Sequence, residues 1–338
     1  MSSLENGIPK FARSASNRAL LIAVLLLSAL LNISAFADNN KLPKLGELWF
    51  ADPNLSKPWR EAFRQGLAEL GYIDGRTITI VTLNARGDAS RFPALLAELI
   101  AQNVDVMFVS PKAVQEAKRA TKKIPIVAAM SDPIAEGVAV SLAHPGGNIT
   151  GTSYQSPDIS GKRLQIAMEM LPEIKRVALL YDGSDAAVLL EVQGTRTAAA
   201  TKGVGIREFS VRNNHDLDAT FAAIEKDKPP TLIVTDSPLI LQNRERILRF
   251  AADKKIPIIN EGGDFARQGA LLAYGAHPYK TFQRLAYYVD RILKGAKPGD
   301  LPIEQPTVFE LVVNQKTAKA LGIKIPESIM LRATEIVK

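Results

Sequence analysis

No cysteine occurs anywhere in the 338-residue chain. That excludes disulfides, thiolate metal ligands, a cysteine nucleophile and a lipid carried on an N-terminal cysteine, so a lipoprotein is not expected. Stability must then come from a buried core, which roughly 300 residues can supply. Histidine is scarce: His144, His215 and His277 lie far apart, and neither an HExxH pair nor an EF-hand loop is present. Also missing are a GxSxG elbow and a GxxxxGK[ST] phosphate loop, and GVGIRE lacks the third glycine of a dinucleotide fingerprint. No metal and no cofactor is therefore expected. The formal charge is +7, yet no lysine/arginine run carries interleaved aromatics, so nucleic acid is not an expected partner.

One uncharged apolar run stands out. ALLIAVLLLSALL (residues 19–31) follows Lys10, Arg13 and Arg18 and precedes Ala35-Phe36-Ala37. A basic start, an apolar middle and an A-x-A end are the three parts of a secretory signal. The run is short for a full membrane span, and a single arginine before it favours general export over the twin-arginine route. Residues 1–37 are read as a leader cleaved after Ala37, with a retained anchor as the rival. An exported chain with no lipid that stays useful to its cell points to the bacterial periplasm.

What the rest of the chain has in abundance is alternation. KLGELWF (44–50) reads as a strand, and Trp59, Ala62, Phe63, Gly66, Leu67 and Leu70 mark one face of a helix with Pro58 in its first turn. TITIVTL, a helix at Phe92–Ile100, VDVMFVS, a helix over 114–121 and IPIVAAM follow. After Pro172 the order returns: RVALLY, a helix over 187–202, GIREFSV, a helix over 217–226, TLIVTD, a helix over 240–252 and IPIIN. A late helix through Phe282–Leu293, a proline-rich GAKPGDLPIEQP and the strand TVFELVV close the pattern. Apolar βα units imply parallel sheets covered on both faces. The expected class is α/β, two doubly wound parallel-sheet lobes joined by a multi-segment hinge. The first lobe is assigned residues 38–152 plus about 276–300. The second, with the hinge strands, takes 153–275 plus about 301–338.

Ligands of such sheets bind beyond the carboxyl ends of the strands, so the residues that follow each strand are the candidates. They are Trp49 and Phe50, Ser110 and Lys112, Ser131 and Asp132, Tyr181 and Asp182, Asp236, and Glu261. Aromatic faces suit a flat solute and helix N-termini suit an anion, although Ser and Asp at these places also serve as helix caps. Lys112 would meet a ligand carboxylate, and Asp236 or Glu261 a ligand amine. Paired cleft carboxylates leave a glycoside hydrolase as a remote alternative. HPGGNITG (144–151) has no lysine to hold a phosphate and reads as a turn approaching the first interlobe crossing, which directs attention to Thr152, Ser153 and Tyr154.

The block IPIVAAMSDPIAEGVAVSLAHPGGNITGTSYQSPDISGKRLQ (124–165) resembles a motif of bacterial ABC-transporter substrate-binding proteins, in the branch that includes binders of tryptophan and other aromatic amino acids. ELGYIDGRTITI and ILKGAKPGDLPIEQPTVFEL are similar to the same family. The resemblance implies a type 1 periplasmic-binding fold with three crossing segments and delivery of a small molecule to an inner-membrane ABC permease driven by a separate ATPase, and a receptor that closes its lobes is expected to be a monomer. A ligand sensor that reports to a membrane kinase or chemoreceptor is the alternative. Contacts implied by the family fall on Ser110, Lys112, Ser131, Asp132, Thr152, Ser153, Tyr154, Tyr181, Asp182, Asp236, Glu261 and Tyr274. Two stretches depart from relatives, Ser110-Pro111-Lys112 and Asp182-Gly183-Ser184, so aromatic specificity does not carry over on resemblance alone.

Overall fold

Five short apolar strands open the described chain: β1 (Lys44–Trp49), β2 (Thr79–Asn84), β3 (Val106–Val109), β4 (Ile126–Met130) and β5 (Ile149–Ser153). The computed structural model describes residues 41–153 and 157–338, without the side chains of 157 and 158. The leader over residues 1–37 and Tyr154 lie outside the described residues. The strands pair in the order β2-β1-β3-β4-β5, all parallel. Helices α1 (Pro53–Glu69), α2 (Phe92–Ala101) and α3 (Val114–Ala120) connect them. Parallel neighbours force such crossovers, and strands covered on both faces read as unbroken apolar runs. β3 and β4 are buried at every position.

The second sheet has seven strands. Its elements are α4 (Pro157–Met170), β6 (Arg176–Asp182), α5 (Ala186–Lys202), β7 (Gly205–Val211), α6 (Asp216–Asp227), β8 (Leu232–Val234), α7 (Pro238–Gln242), α8 (Arg244–Asp253), β9 (Ile258–Asn260), α9 (Gly263–Arg267) and β10 (Leu272–Ala276). Then come α10 (Pro278–Leu293), β11 (Phe309–Asn314), α11 (Gln315–Leu321), α12 (Glu327–Arg332) and β12 (Glu335–Val337). The order is β12-β11-β10-β9-β8-β6-β7, with β11 antiparallel to β10 and the other pairs parallel. Each sheet carries apolar clusters on both faces, and residues Pro43–Lys338 form one compact unit.

Three segments pass between the lobes. One leaves β5 for α4, and the second leaves β10 for α10. α10 packs Leu285, Ala286 and Val289 beside Trp49 and Phe63 of the first lobe. The third precedes β11. The outer two run side by side, with Ser153 N donating to Glu304 O at 2.8 Å, and His277 N donates to Val308 O at 3.0 Å. The HPGG turn rests on the turn at Pro298–Asp300, Gly146 N donating to Gly299 O at 3.1 Å. Asn148 turns its amide inward to the carbonyls of Thr121 (3.2 Å) and Ile124 (2.8 Å), which tethers the start of β4.

The structure differs from the sequence expectation in three ways. α1 begins at Pro53, capped by the Asp52 carboxylate on Asn54 N at 2.8 Å, so Pro58 lies inside the helix instead of in its first turn. The helix expected over 240–252 is two, because Asn243 Nδ2 takes the Leu239 carbonyl at 2.8 Å and competes with the helical ladder. Short elements escape the expected pattern: β5, β10 and β12 among the strands, although β10 sits between β9 and β11, and α9, α11 and α12 among the helices.

Candidate ligand cleft

The carboxyl ends of the two sheets approach each other. Lys112, in the turn after β3, places Nζ 3.5 Å from Oδ2 of Asp185, in the turn after β6. Lys112 also lies over the Phe50 ring, 5.1 Å from its centroid. Phe50 is itself wedged against Phe92 (ring centroids 5.6 Å apart), so it presents an edge of the first lobe's core rather than a free wall. Asp185 caps α5 through Ala187 N at 3.1 Å. Close by, Glu136 Oε1 accepts from Ser131 N (3.2 Å) and Asp132 N (3.1 Å). Burial raises the Glu136 pKa, and the nearby Asp132 and Asp185 charges push it the same way.

Four buried hydroxyls stand at these strand ends without a hydrogen-bond partner among the described residues: Ser110 after β3, Ser131 after β4, Thr152 at the end of β5 and Thr235 after β8. Buried polar groups are nearly always satisfied, so each of these orphans at a strand end needs a cause. A polar solute seated among them would supply it. Ser153 is differently placed, its hydroxyl donating to Ser131 O at 2.7 Å and tying β5 to β4.

Beneath the second lobe's strand ends lies a buried ion cluster. Arg163 on α4 pairs with Glu191 on α5 and, through Nη2 at 2.9 Å, with Glu261 after β9. Its Nε donates to Tyr274 O at 3.1 Å. Glu261 Oε1 accepts from Asp236 N at 3.0 Å, and Asp236 Oδ1 accepts from Asn260 Nδ2 at 2.9 Å. Arg244 acts on Asp236 by charge, and its Nε has no partner among the described residues. Three carboxylates thus face two guanidiniums, an excess of one negative charge when all are ionised. The structure answers that excess by favouring protonation. Asp236 is pushed up to about 7 by burial and by the Glu261 charge, against the opposing Asn260 hydrogen bond and Arg163 charge. Glu191 is raised by burial, then by Glu261, although Arg163 opposes both.

Several expected contact residues have structural partners. Trp49 is 2 % exposed and packed among Phe63, Phe108 and Phe282, with Nε1 donating to Glu47 at 3.1 Å, so its indole offers no face to a solute. Tyr181 lies in the second lobe's core with its hydroxyl on Glu208 Oε2 at 3.0 Å. Asp132 caps Ile134 N and Ala135 N, and Asp182 holds Ser184 N and Oγ. Tyr274 stacks on Phe309 with centroids 6.0 Å apart.

Arg163, Glu191 and Asp185 were not singled out from sequence. The signal existed for the first two. Ile159, Arg163, Ile166, Ala167 and Met170 share the buried stripe of α4, and Val188, Glu191, Val192, Thr195 and Ala199 that of α5. A charge on an apolar helical stripe marks a buried pair.

Residues 53–337 match the family described as ABC transporter substrate binding protein. The chain belongs to that family. A curated relative, the tyrosine-binding protein of Clostridioides difficile strain R20291, is 28% identical over 291 residues, 85% of this chain and 83% of the relative. The ABC domain of a Streptococcus pneumoniae protein in complex with L-Trp superposes with TM-score 0.82 at 26% identity, covering 88% of this chain and all of that one. The ligand-free, open structure of a substrate-binding protein with adhesive properties from Clostridium difficile gives 0.67 at 25% identity, with the same coverage. The α/β class expected from the sequence, two lobes on mostly parallel sheets, is the one the two sheets form.

Proposed function

We propose that this substrate-binding protein captures an aromatic amino acid between its lobes and delivers it, as a monomer in the periplasm, to an ABC importer whose ATPase is a separate chain. The observation that carries the proposal is the set of orphaned hydroxyls on Ser110, Ser131, Thr152 and Thr235 at strand ends of both lobes. The acidic excess around Asp236 supports an ammonium-bearing solute, with the ammonium supplying the missing positive charge. The tyrosine and tryptophan named for two relatives support the aromatic class. Greater likeness to the tryptophan complex than to the open, ligand-free relative, at nearly equal identity, supports reading this arrangement as the closed one.

In this reading Phe50 and Lys112 form the rim and the hydroxyls and Asp236 hold the polar end. Ser153, Asp132, Asp182, Glu261 and Tyr274 brace the backbone around it. Contacts from both lobes exist together only when closed, so binding shifts the population toward closure. The domain limits proposed from sequence, and export by a leader cut after Ala37, belong to the same proposal. The test is calorimetry and thermal shift on the exported chain with L-tryptophan, L-tyrosine, L-phenylalanine, their amine-free acids and sugars. Binding of the amino acids over the amine-free acids supports the proposal, and a panel without any response sinks it.

A further inference from the structure

Far from the cleft, the C-terminal segment encloses a shallow hollow of about 820 Å³. β11 runs antiparallel to β10, so α11 leaves it at the end of the second sheet opposite the strand ends of the cleft. The hollow is lined by Lys316, Lys319, Lys324 and Lys338, and no side chain of the lining bears a carboxylate. All four lysines are exposed and none enters an ion pair among the described residues. Of the neighbouring charges, Arg332 pairs with Glu169 and Glu335 with Arg267, and the exposed Glu327 at the start of α12 is the one carboxylate side chain near the lysines that enters no ion pair among the described residues. Between the lysines lie Ile323, Ile325 and Met330, and the next residue, Leu331, stands 80 % exposed.

Unpaired ammonium groups around an apolar floor with one protruding leucine fit a surface that is anionic at its face and apolar just beneath. A free phosphate would use the charge and leave Leu331 unexplained. From this we infer that the α11–α12 face is a docking surface for an anionic phospholipid bilayer. Lysines attract the headgroups and Leu331 enters the acyl boundary. Because this face is opposite the strand ends, a bilayer-bound molecule keeps its cleft toward the solution. It can load solute while held near the membrane in which its transporter sits.

The test uses the chain from Lys41 onward, since the apolar run over residues 19–31 would enter bilayers by itself and the unit Pro43–Lys338 carries its own cores. Co-sedimentation is measured with vesicles of phosphatidylglycerol mixed with phosphatidylethanolamine, and with vesicles of phosphatidylcholine alone. The inference expects preference for the anionic vesicles, loss of binding at high salt, and at least about tenfold weaker binding for the triple variant Lys316→Glu, Lys319→Glu, Lys324→Glu. Leu331→Ser should weaken binding without changing its salt dependence. If the triple variant does not fold, the corresponding glutamine triple replaces it with the same expectation. Equal binding to both vesicle types, or a folded lysine variant that binds as the parent does, overturns the inference, as does displacement by inorganic phosphate at low millimolar concentration.

Discussion

Lys112 Nζ and Asp185 Oδ2, one on each lobe, stand 3.5 Å apart with both side chains partly buried. A pair between lobes exists only while they are together, so its whole energy biases closure. Partly exposed ion pairs contribute about 0.5–1 kcal/mol, which converts to a few-fold change in the open-to-closed ratio. Lys112→Met should therefore open the unliganded population, seen as a larger radius of gyration in X-ray scattering, and weaken solute binding a few-fold. Asp185→Asn, which keeps the α5 cap, should do the same, and high salt should erase the difference. A Lys112→Met chain with hundredfold weaker binding would instead mean that Lys112 holds the solute's carboxylate directly.

Arg163 is the only guanidinium seen to bridge both Glu191 and Glu261 among the described residues. Removing one partner of a buried ion group leaves uncompensated charge, at a cost of about 3–5 kcal/mol. Arg163→Met should lose that much stability in urea unfolding. Adding Glu191→Gln to it should recover part of the loss, since burial and Glu261 already favour the neutral form of Glu191. An Arg163→Met chain as stable as the parent would show that the cluster is not structural.

The alternation of strands and helices was legible because strands buried on both faces spell apolar runs, while their helices repeat at 3.6 residues. Two of its failures share one cause: a local bond from side chain to backbone outweighed the periodic pattern. Asn243 breaks a helix by bonding Leu239 O, and Asp52 starts one six residues before the first apolar residue of its stripe. Strand ends located the cleft in the same way, yet sequence could not tell which side of a strand end faces out. Trp49 and Phe50 are neighbours, but Trp49 enters the core beside α10 while Phe50 turns toward the opposite face and Lys112. Arg163 and Glu261 are 98 residues apart in the chain, a pairing that no local spacing announces.

Gly151 holds φ at +143°, and a Cβ there would lie 2.0 Å from Ala128 O in the neighbouring strand. Neither backbone can yield without breaking the β4–β5 ladder that leads into the first crossing. Gly151→Ala should cost about 2–4 kcal/mol, and hydrogen exchange should quicken at Ile126–Met130. A variant with parental exchange in β4 would show that the crossing can relax. By contrast, Gly147→Ala, which meets nothing within 4 Å and has no positive φ, should be close to neutral.

Asp236 sets the expected pH dependence. Its folded pKa is raised from 3.8 to about 7, so the fold favours the protonated form. The stability this contributes is complete below about 3.8 and is lost as pH rises through about 7, with a slope of up to about 1.4 kcal/mol per pH unit. Asp236→Asn should therefore gain stability over the parent as pH rises from 5 to 8, with Glu191 retaining a dependence of the same sign in both chains. Solute binding should run the other way. An ammonium beside Asp236 favours the carboxylate, so binding near pH 6 releases a proton and tightens as pH approaches 7. Calorimetry in two buffers of different ionisation enthalpy counts that proton. A count of zero at pH 6 would place the solute's ammonium away from Asp236, and proton uptake would place a solute carboxylate there instead.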